Sequence, residues 1–558
     1  MGISEEELSK LLVTQKVLDE TKLDAVVLFA KNSNTTLYDA VLDKELITDD
    51  KLGQMIADYL KTPFVLVSRM SIPLEVLRIV PERMARKKKT IAFARDKDGI
   101  KLAMANPKDD EIATLITKKT GENVIRYFAT DRDISNTIYV YKKDLQKSFD
   151  AMLEDDLMRS RSSDTSDPPV LKIVDLLIDH AYQDKSSDIH IEPQDKNALV
   201  RFRIDGILHD VLMYPKKLHD RIITRIKVLS NLRTDEHLSA QDGKMRVKID
   251  EENLDIRVSI IPIVEGEKIC MRLLSYRNKN VTLKDLGMTD ADLLKVTNAY
   301  NKTFGMILST GPTGSGKSTS IYSILKVINT REKNITTIED PVEYRLQGVN
   351  QIQVNVKTNL TFAAGLRSIL RQDPNVVFVG EIRDNETAGI AVNAALTGHL
   401  VLSTLHTNDA ATALPRLTDM KVEPFLVAST VNCIIAQRLV RKICDACKTS
   451  YIIKRAELSN NLPATELTKV FGQEAKFTIF KGAGCKICHF TGYIGRIGIF
   501  EVLEITEKIK ELIAQKIDSD VIAKEAKAEG MISMLEDGLR KVLNGMTSIE
   551  EVLRVTKI

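Results

Sequence analysis

Four short apolar runs punctuate the second half of the chain, and each ends in polar residues. Met306-Ile-Leu308 runs toward Gly311, and Ile335-Thr-Thr-Ile338 runs into Glu339-Asp-Pro-Val-Glu343. Val376-Val-Phe-Val379 runs into Gly380-Glu-Ile-Arg-Asp384, and Leu400-Val-Leu402 into Ser403, Thr404 and His406. Brief continuous apolar runs of this kind suit parallel strands covered on both faces. Between the first two, Ile321, Ile324, Leu325 and Ile328 recur at helical spacing. The pattern predicts a doubly wound α/β domain over residues 286–558, whose tail from Ile505 onward is helical by periodicity.

Upstream the period shortens to two. Val200, Phe202 and Ile204 share one face and Arg201, Arg203 and Asp205 the other, with Asp205-Gly206 as turn. Lys244–Ile249, Leu254–Ile260 and Ile269–Leu273 continue the alternation, behind a helix carrying Leu171, Val174, Leu177 and Ile178. Residues 170–285 therefore read as an α+β domain with an antiparallel sheet. Residues 1–145 mix helices with short strands at Phe64–Val67, Thr90–Ala94, Ile100–Met104 and Val124–Phe128, a small α/β module suited to docking or regulation. Between these two, Arg159–Pro169 has no apolar side chain with which to order itself, which makes 146–169 a flexible linker.

The first apolar run of the C-terminal domain leads into Gly311-Pro312-Thr313-Gly314-Ser315-Gly316-Lys317-Ser318-Thr319. Strand, glycine turn and helix start are what phosphate binding requires: glycines let backbone N–H groups approach the oxygens, and the helix N-terminus adds positive potential. Lys317 is then expected to reach the terminal phosphates of ATP and Ser318 to hold Mg²⁺. Ligands of open α/β sheets sit outside the carboxyl ends of the strands, so the polar residues after the other three runs are candidates for the same site. Glu381 ends an apolar strand as a magnesium-ordering carboxylate does, and is long enough to act on the attacking water. Glu343 is a second carboxylate for water or Mg²⁺, and His399 and His406 are candidates or structural histidines. Arg367 and Arg371 stand four apart on one predicted helical face. The arginines of the antiparallel sheet, Arg201 and Arg203 with Arg257 and Arg272, are either solvated charges or a phosphate-facing surface.

Composition narrows the alternatives. A net charge of +3 and 5% aromatics without tryptophan offer neither the basic surface nor the stacking platforms of a nucleic-acid translocase. No eighteen residues are uninterruptedly apolar, and Met1-Gly-Ile-Ser-Glu-Glu-Glu7 has no signal-peptide core, so a cytosolic protein is expected. Four of the six cysteines form two CxxC pairs, Cys444/Cys447 and Cys485/Cys488, separated by 37 residues. Two such knuckles supply four thiolates for a closed tetrahedral Zn²⁺ site, with a redox pair or free thiols as the alternative, within a subdomain of about 440–492.

With these segments in hand, the chain resembles the secretion ATPases of the GspE/PulE family. The resemblance rests on Ser187-Asp-Ile-His-Ile-Glu-Pro193, Val200–Gly206, the loop from Gly311, Ile338–Glu343, Val379–Asp384, Thr397–Thr407, the four cysteines and Gly545–Arg554. It implies a P-loop NTPase motor, RecA-like in its C-terminal domain, that hydrolyses ATP in a hexameric ring. Arg201 and Arg203 of one subunit would serve the nucleotide of the next; Glu339–Glu343, Glu381, and His399 with His406 would be the family's acidic, Walker B and histidine boxes. It also implies a membrane-associated docking protein and an inner-membrane platform protein as partners, at the inner face of the cytoplasmic membrane. The output would be type IV pilus assembly or type II secretion. Some members bind cyclic di-GMP through an arginine-leucine-glycine signature. Here Asn34-Thr-Thr-Leu37 stands in its place, so that ligand is not expected. A nucleotide switch without turnover is the remaining alternative.

Overall fold

The computed structural model describes residues 2–15, 17–33, 36–43, 46–70, 72–137, 149–150, 170–249, 252–274, 281–444, 447–459, 462–485 and 488–556. Most of the predicted linker, including Arg159–Pro169, lies outside the described residues, as do Asn34 and Thr35. By internal contacts the chain divides into a unit of residues 1–275 with 485–490 and a unit of 276–484 with 491–558.

In the first unit, helices Glu5–Thr14, Glu20–Ser33, Leu37–Asp43 and Asp49–Leu60 enclose an apolar cluster around Leu12, Val41, Leu52 and Ile56. They are followed by a three-stranded sheet of β1 (Thr90–Asp96), β2 (Gly99–Met104) and β3 (Val124–Phe128). The strand expected at Phe64–Val67 is not formed. Phe64 makes a single bridge to Phe128, and Val67–Arg69 turns as a 3₁₀ helix. The cause is Asp133, whose carboxylate accepts from Val67 N (2.6 Å) and Ser68 N (3.1 Å) and draws both amides away from any ladder.

The antiparallel domain comprises β4 (Asp188–Pro193), β5 (Asn197–Ile204), β6 (Ile207–Pro215), β7 (Gln241–Ile249), β8 (Glu252–Ile263) and β9 (Gly266–Leu274), in the order β6-β5-β4-β9-β8-β7. Asp205 and Gly206 both take positive φ (49° and 88°) at the β5–β6 hairpin, the geometry of a two-residue primed turn. One face of the sheet supplies Ile189, Val200, Phe202 and Ile256 to a core shared with Val174, Leu177 and Ile178 of helix Val170–Gln183. Alternation leaves Asp188, Arg203, Arg257 and Arg272 to the other face, where they stand opposite one another in register across β5, β4, β9 and β8.

The second unit holds β10 (Gly305–Thr310), β11 (Ile335–Glu339), β12 (Asn350–Gln353), β13 (Val376–Val379), β14 (Leu400–Leu405), β15 (Val431–Ile443) and, after the hairpin β16 (Lys448–Lys454) and β17 (Lys476–Gly482), β18 (Tyr493–Glu504). Seven of these form one sheet ordered β12-β11-β13-β14-β10-β15-β18, parallel except for β18 at the edge. Met306, Leu308, Val377 and Val401 face one core, with helices Phe362–Ile369 and Asn385–Leu396; Ile307, Phe378 and Leu402 face another, with helix Lys317–Ile328. All four predicted runs are strands, covered on both faces, with β14 between β10 and β13. Thr310 pairs Leu405, Val379 pairs Ser403 and Ile338 pairs Val379, so their carboxyl ends are level. Among the described residues no helix is long and apolar enough to cross a membrane.

Candidate nucleotide site and cysteine cluster

The glycine loop leaves the carboxyl end of β10. Gly311 (φ +144°) passes so close to β15 that a Cβ would lie 2.5 Å from the Gln437 carbonyl oxygen and 2.7 Å from Ser315 Oγ; Gly316 (φ +92°) precedes the helix as its N-cap. Both backbones are in the left-handed region that favours glycine, and at Gly311 the backbone carbonyl of Gln437 also leaves no room for a Cβ. Pro312, Thr313 and Gly314 are exposed, while Ser318 and Thr319 are half-buried in the first helical turn. Lys317 is buried and donates through Nζ to the carbonyls of Gly311 (2.8 Å) and Pro312 (3.1 Å). Burial pushes its pKa below that of an ordinary lysine, opposed by the negative charge of Glu381.

Glu381 stands two residues beyond β13 and is buried. Its Oε2 lies 2.6 Å from Arg383 Nε and 3.4 Å from His406 Nε2. Two hydroxyl ties hold these ends in place. Thr404 Oγ1 donates to Gly380 O (2.7 Å), and Thr310 Oγ1, just before the loop, accepts from Thr407 N (3.0 Å). Lys317, Glu381, Arg383 and His406 thus gather at one end of the sheet, a cation at the phosphate loop facing a carboxylate from the end of β13, the next strand but one.

Other sequence candidates are placed elsewhere. His399 precedes β14 whereas His406 follows it; at about 3.3 Å per residue the strand sets them roughly 20 Å apart. The His399 ring packs back on the preceding helix, with Nδ1 3.0 Å from Ala394 O. Glu343 is exposed on the loop after β11, where its charge bears on Glu339 and Tyr344. Glu339 itself is buried, accepting from Tyr322 Oη, Thr337 Oγ1 (2.6 Å) and Gln351 Nε2 (3.1 Å); burial raises its pKa against these hydrogen bonds. Arg367 pairs with Glu386, and Arg371 donates to Ser368 Oγ (3.3 Å). On the antiparallel sheet Arg201 pairs with Glu192 (2.7 Å), and Asp188 receives Arg203 (3.4 Å), Arg272 (3.0 Å) and the Ser187 hydroxyl (2.8 Å).

The sulfurs of Cys444, Cys447, Cys485 and Cys488 lie within 4.8 Å of one another. Cys485 Sγ and Cys488 Sγ are 3.7 Å apart, and Cys485 N donates to Cys488 Sγ (3.1 Å). Four sulfurs at about 2.3 Å from a tetrahedral zinc would be roughly 3.8 Å apart, so donor type, number and spacing fit that metal. No disulfide joins them, and the neighbouring His489 is surplus to the set.

A parallel sheet with a glycine loop, a buried lysine opening the following helix and a carboxylate on a nearby strand end define a P-loop nucleotide hydrolase. The model of the family described as Type II/IV secretion system protein matches residues 163–554, and an MshEN domain matches 60–143. This chain belongs to the type II/IV secretion ATPases. It is 35% identical to the type IV pilus assembly ATPase PilB of Myxococcus xanthus over 98% of both chains. It is also 44% identical to the type II secretion system protein E of Pseudomonas aeruginosa over 70% of this chain and 76% of that one. Among solved structures, the ATPase DotB of Legionella pneumophila superposes with a TM-score of 0.51 at 21% identity, covering 68% of this chain and 94% of DotB, a likeness of fold. The chain is thus an ATP-hydrolysing member of a family that serves secretion and pilus machines.

Proposed function

We propose that this chain is the motor of type IV pilus assembly, a homohexamer on the cytoplasmic face of the inner membrane that polymerises pilin by driving a platform protein. The observation that carries this reading is the end-to-end match to the pilus ATPase, which includes the N-terminal module, whereas matches to type II secretion relatives cover between 70% and 83% of the chain. Type II secretion is the second reading, favoured by the higher identity, 44% against 35%, within the matched part.

In this motor the loop Gly311–Thr319 holds the phosphates, Lys317 exchanges its loop carbonyls for phosphate oxygens and Ser318 ligates Mg²⁺. Glu381 orients and deprotonates the attacking water, with His406 beside it, and Glu343 supplies a second carboxylate from its exposed position on the loop after β11. His399, at the far end of its strand, supports the helix behind the site. Arg201 and Arg203 of a neighbouring subunit stabilise charge on the transferring phosphoryl group, an effect worth about 10³–10⁵ in rate where it operates. Zn²⁺ on the four cysteines supplies folding free energy. The N-terminal module docks on a membrane-associated partner without cyclic di-GMP, and no nucleic acid takes part.

The test is a chromosomal Lys317→Ala replacement, scored for surface pili and for secreted proteins. Loss of pili with secretion intact supports the proposal. Loss of secretion with pili intact replaces it with the second reading, and an unaltered strain removes both.

A further inference from the structure

The phosphate loop is fastened by a side chain that belongs to none of the motifs around it. Gln437 lies on β15, one residue beyond the pairing of Ala436 with Thr310, level with the start of the loop. It is 2% exposed in a strand of otherwise apolar burial. Both ends of its carboxamide are used: Nε2 donates to the carbonyl of Ser315 (2.8 Å) and Oε1 accepts from Ser320 Oγ (2.6 Å), in the first turn of the following helix. A Cβ on Gly316 would lie 2.9 Å from that same Nε2.

From this arrangement we infer that Gln437 is a positioning residue for nucleotide binding, setting the direction in which the loop presents its amides. The reason is the planarity of the peptide unit. Across a trans bond the carbonyl of Ser315 and the N–H of Gly316 point in opposite directions, so drawing the carbonyl inward to Gln437 turns the Gly316 N–H outward, into the concavity of the loop. The carbonyl of Ser315 can only accept, so it takes the amide end of Gln437, and the Ser320 hydroxyl donates to the oxygen that is left. Phosphate oxygens bind such turned-out amides. A residue here must therefore donate at one end and accept at the other, and carry no charge beside the phosphates.

The experiment measures binding of a fluorescent Mg·ADP analogue and steady-state ATP turnover on the full-length chain, for wild type, Gln437→Met, Gln437→Glu and Ser320→Ala. Gln437→Met keeps the volume and removes both bonds, and should weaken nucleotide binding at least about 10-fold, at about fivefold for each neutral hydrogen bond. KM should rise accordingly, with kcat reduced much less. Gln437→Glu carries the specific signature. Its protonated acid still offers one donor and one acceptor, whereas its carboxylate sets an acceptor against the Ser315 carbonyl. Because burial raises a carboxyl's pKa, the ratio of that variant's affinity to the wild type's should fall as pH rises from 5 to 9, a dependence that a merely space-filling role would not produce. Ser320→Ala, which removes the donor to Gln437 Oε1 and so half of the carboxamide's anchorage, should weaken binding about threefold to fivefold. Affinities within twofold of wild type in the folded variants, or a Gln437→Glu profile parallel to that of wild type, overturn the inference. If the two Gln437 variants do not fold, Ser320→Ala decides alone on the same twofold limit.

Discussion

Replacing Glu551 by Gln tests how the C-terminal helix Ile549–Thr556 is held to the sheet. Glu551 is 2% exposed and accepts from Arg441 N (3.0 Å), Arg441 Nη2 (2.6 Å), Arg554 Nε (2.9 Å) and Arg554 Nη2 (2.8 Å). Burial alone would raise its pKa; the hydrogen bonds from the two arginines more than offset it and hold the group at about 2, against 4.5 for a free glutamate. At about 1.4 kcal/mol per pH unit, that difference corresponds to about 3 kcal/mol favouring the folded, ionised form. Because the folded value is the lower one, the contribution is complete above pH 4.5 and disappears as pH falls through about 2. Glu551→Gln should therefore accelerate amide hydrogen exchange in residues 549–556 by about 100-fold at pH 7, measured on the full-length chain by mass spectrometry. The gap from wild type should close as pH is lowered toward 2.5. Unchanged protection at pH 7, or a deficit just as large at pH 2.5, would refute the assignment of this stability to the ionised carboxylate.

Three further outcomes are expected. Glu381→Gln should lower kcat by about 10²–10⁴ while leaving the affinity for Mg·ADP within a few fold, as removal of a general base does; equal losses in binding and turnover would point to a structural role. Arg203→Ala should reduce turnover of the assembled protein with little change in nucleotide affinity, and wild-type turnover in that variant would remove the trans-arginine proposal. Purified protein should contain one zinc per chain by metal analysis. Cys485→Ser should lose it together with protease resistance of the β16–β17 hairpin, since a structural zinc contributes about 10–16 kcal/mol of folding free energy.

The strands that build the site were legible because each is a continuous apolar run ending in polar residues. The glycine loop was legible because its chemistry is local in sequence. Gln437 was not, because a lone glutamine in an apolar strand carries no signature of the loop it serves, more than a hundred residues earlier in the chain; its one hint was an uncharged polar group within Val431-Asn-Cys-Ile-Ile-Ala-Gln-Arg-Leu439. His399 and His406 illustrate the converse. They look like a pair in sequence, yet the six residues of β14 between them send their rings to opposite ends of the sheet. In Glu339–Glu343 the pattern marked an acidic loop without revealing that Glu339 is spent on Tyr322, Thr337 and Gln351 while Glu343 stays exposed. At Phe64–Val67 apolarity suggested a strand; a distant carboxylate, Asp133, decided otherwise.

The sharing of Asp188 among three donors bears on how freely an arginine can leave its own sheet. Withdrawing the only counter-ion of a sequestered anion is costly, because the charge left behind has neither water nor partner. Asp188 would not be left in that position by withdrawal of Arg203, because Arg272 (3.0 Å) and the Ser187 hydroxyl (2.8 Å) also contact it. Redundancy of this sort lowers the cost of detaching Arg203 to its long contact with Asp188 (3.4 Å) and one hydrogen bond to the Gly206 carbonyl (3.0 Å).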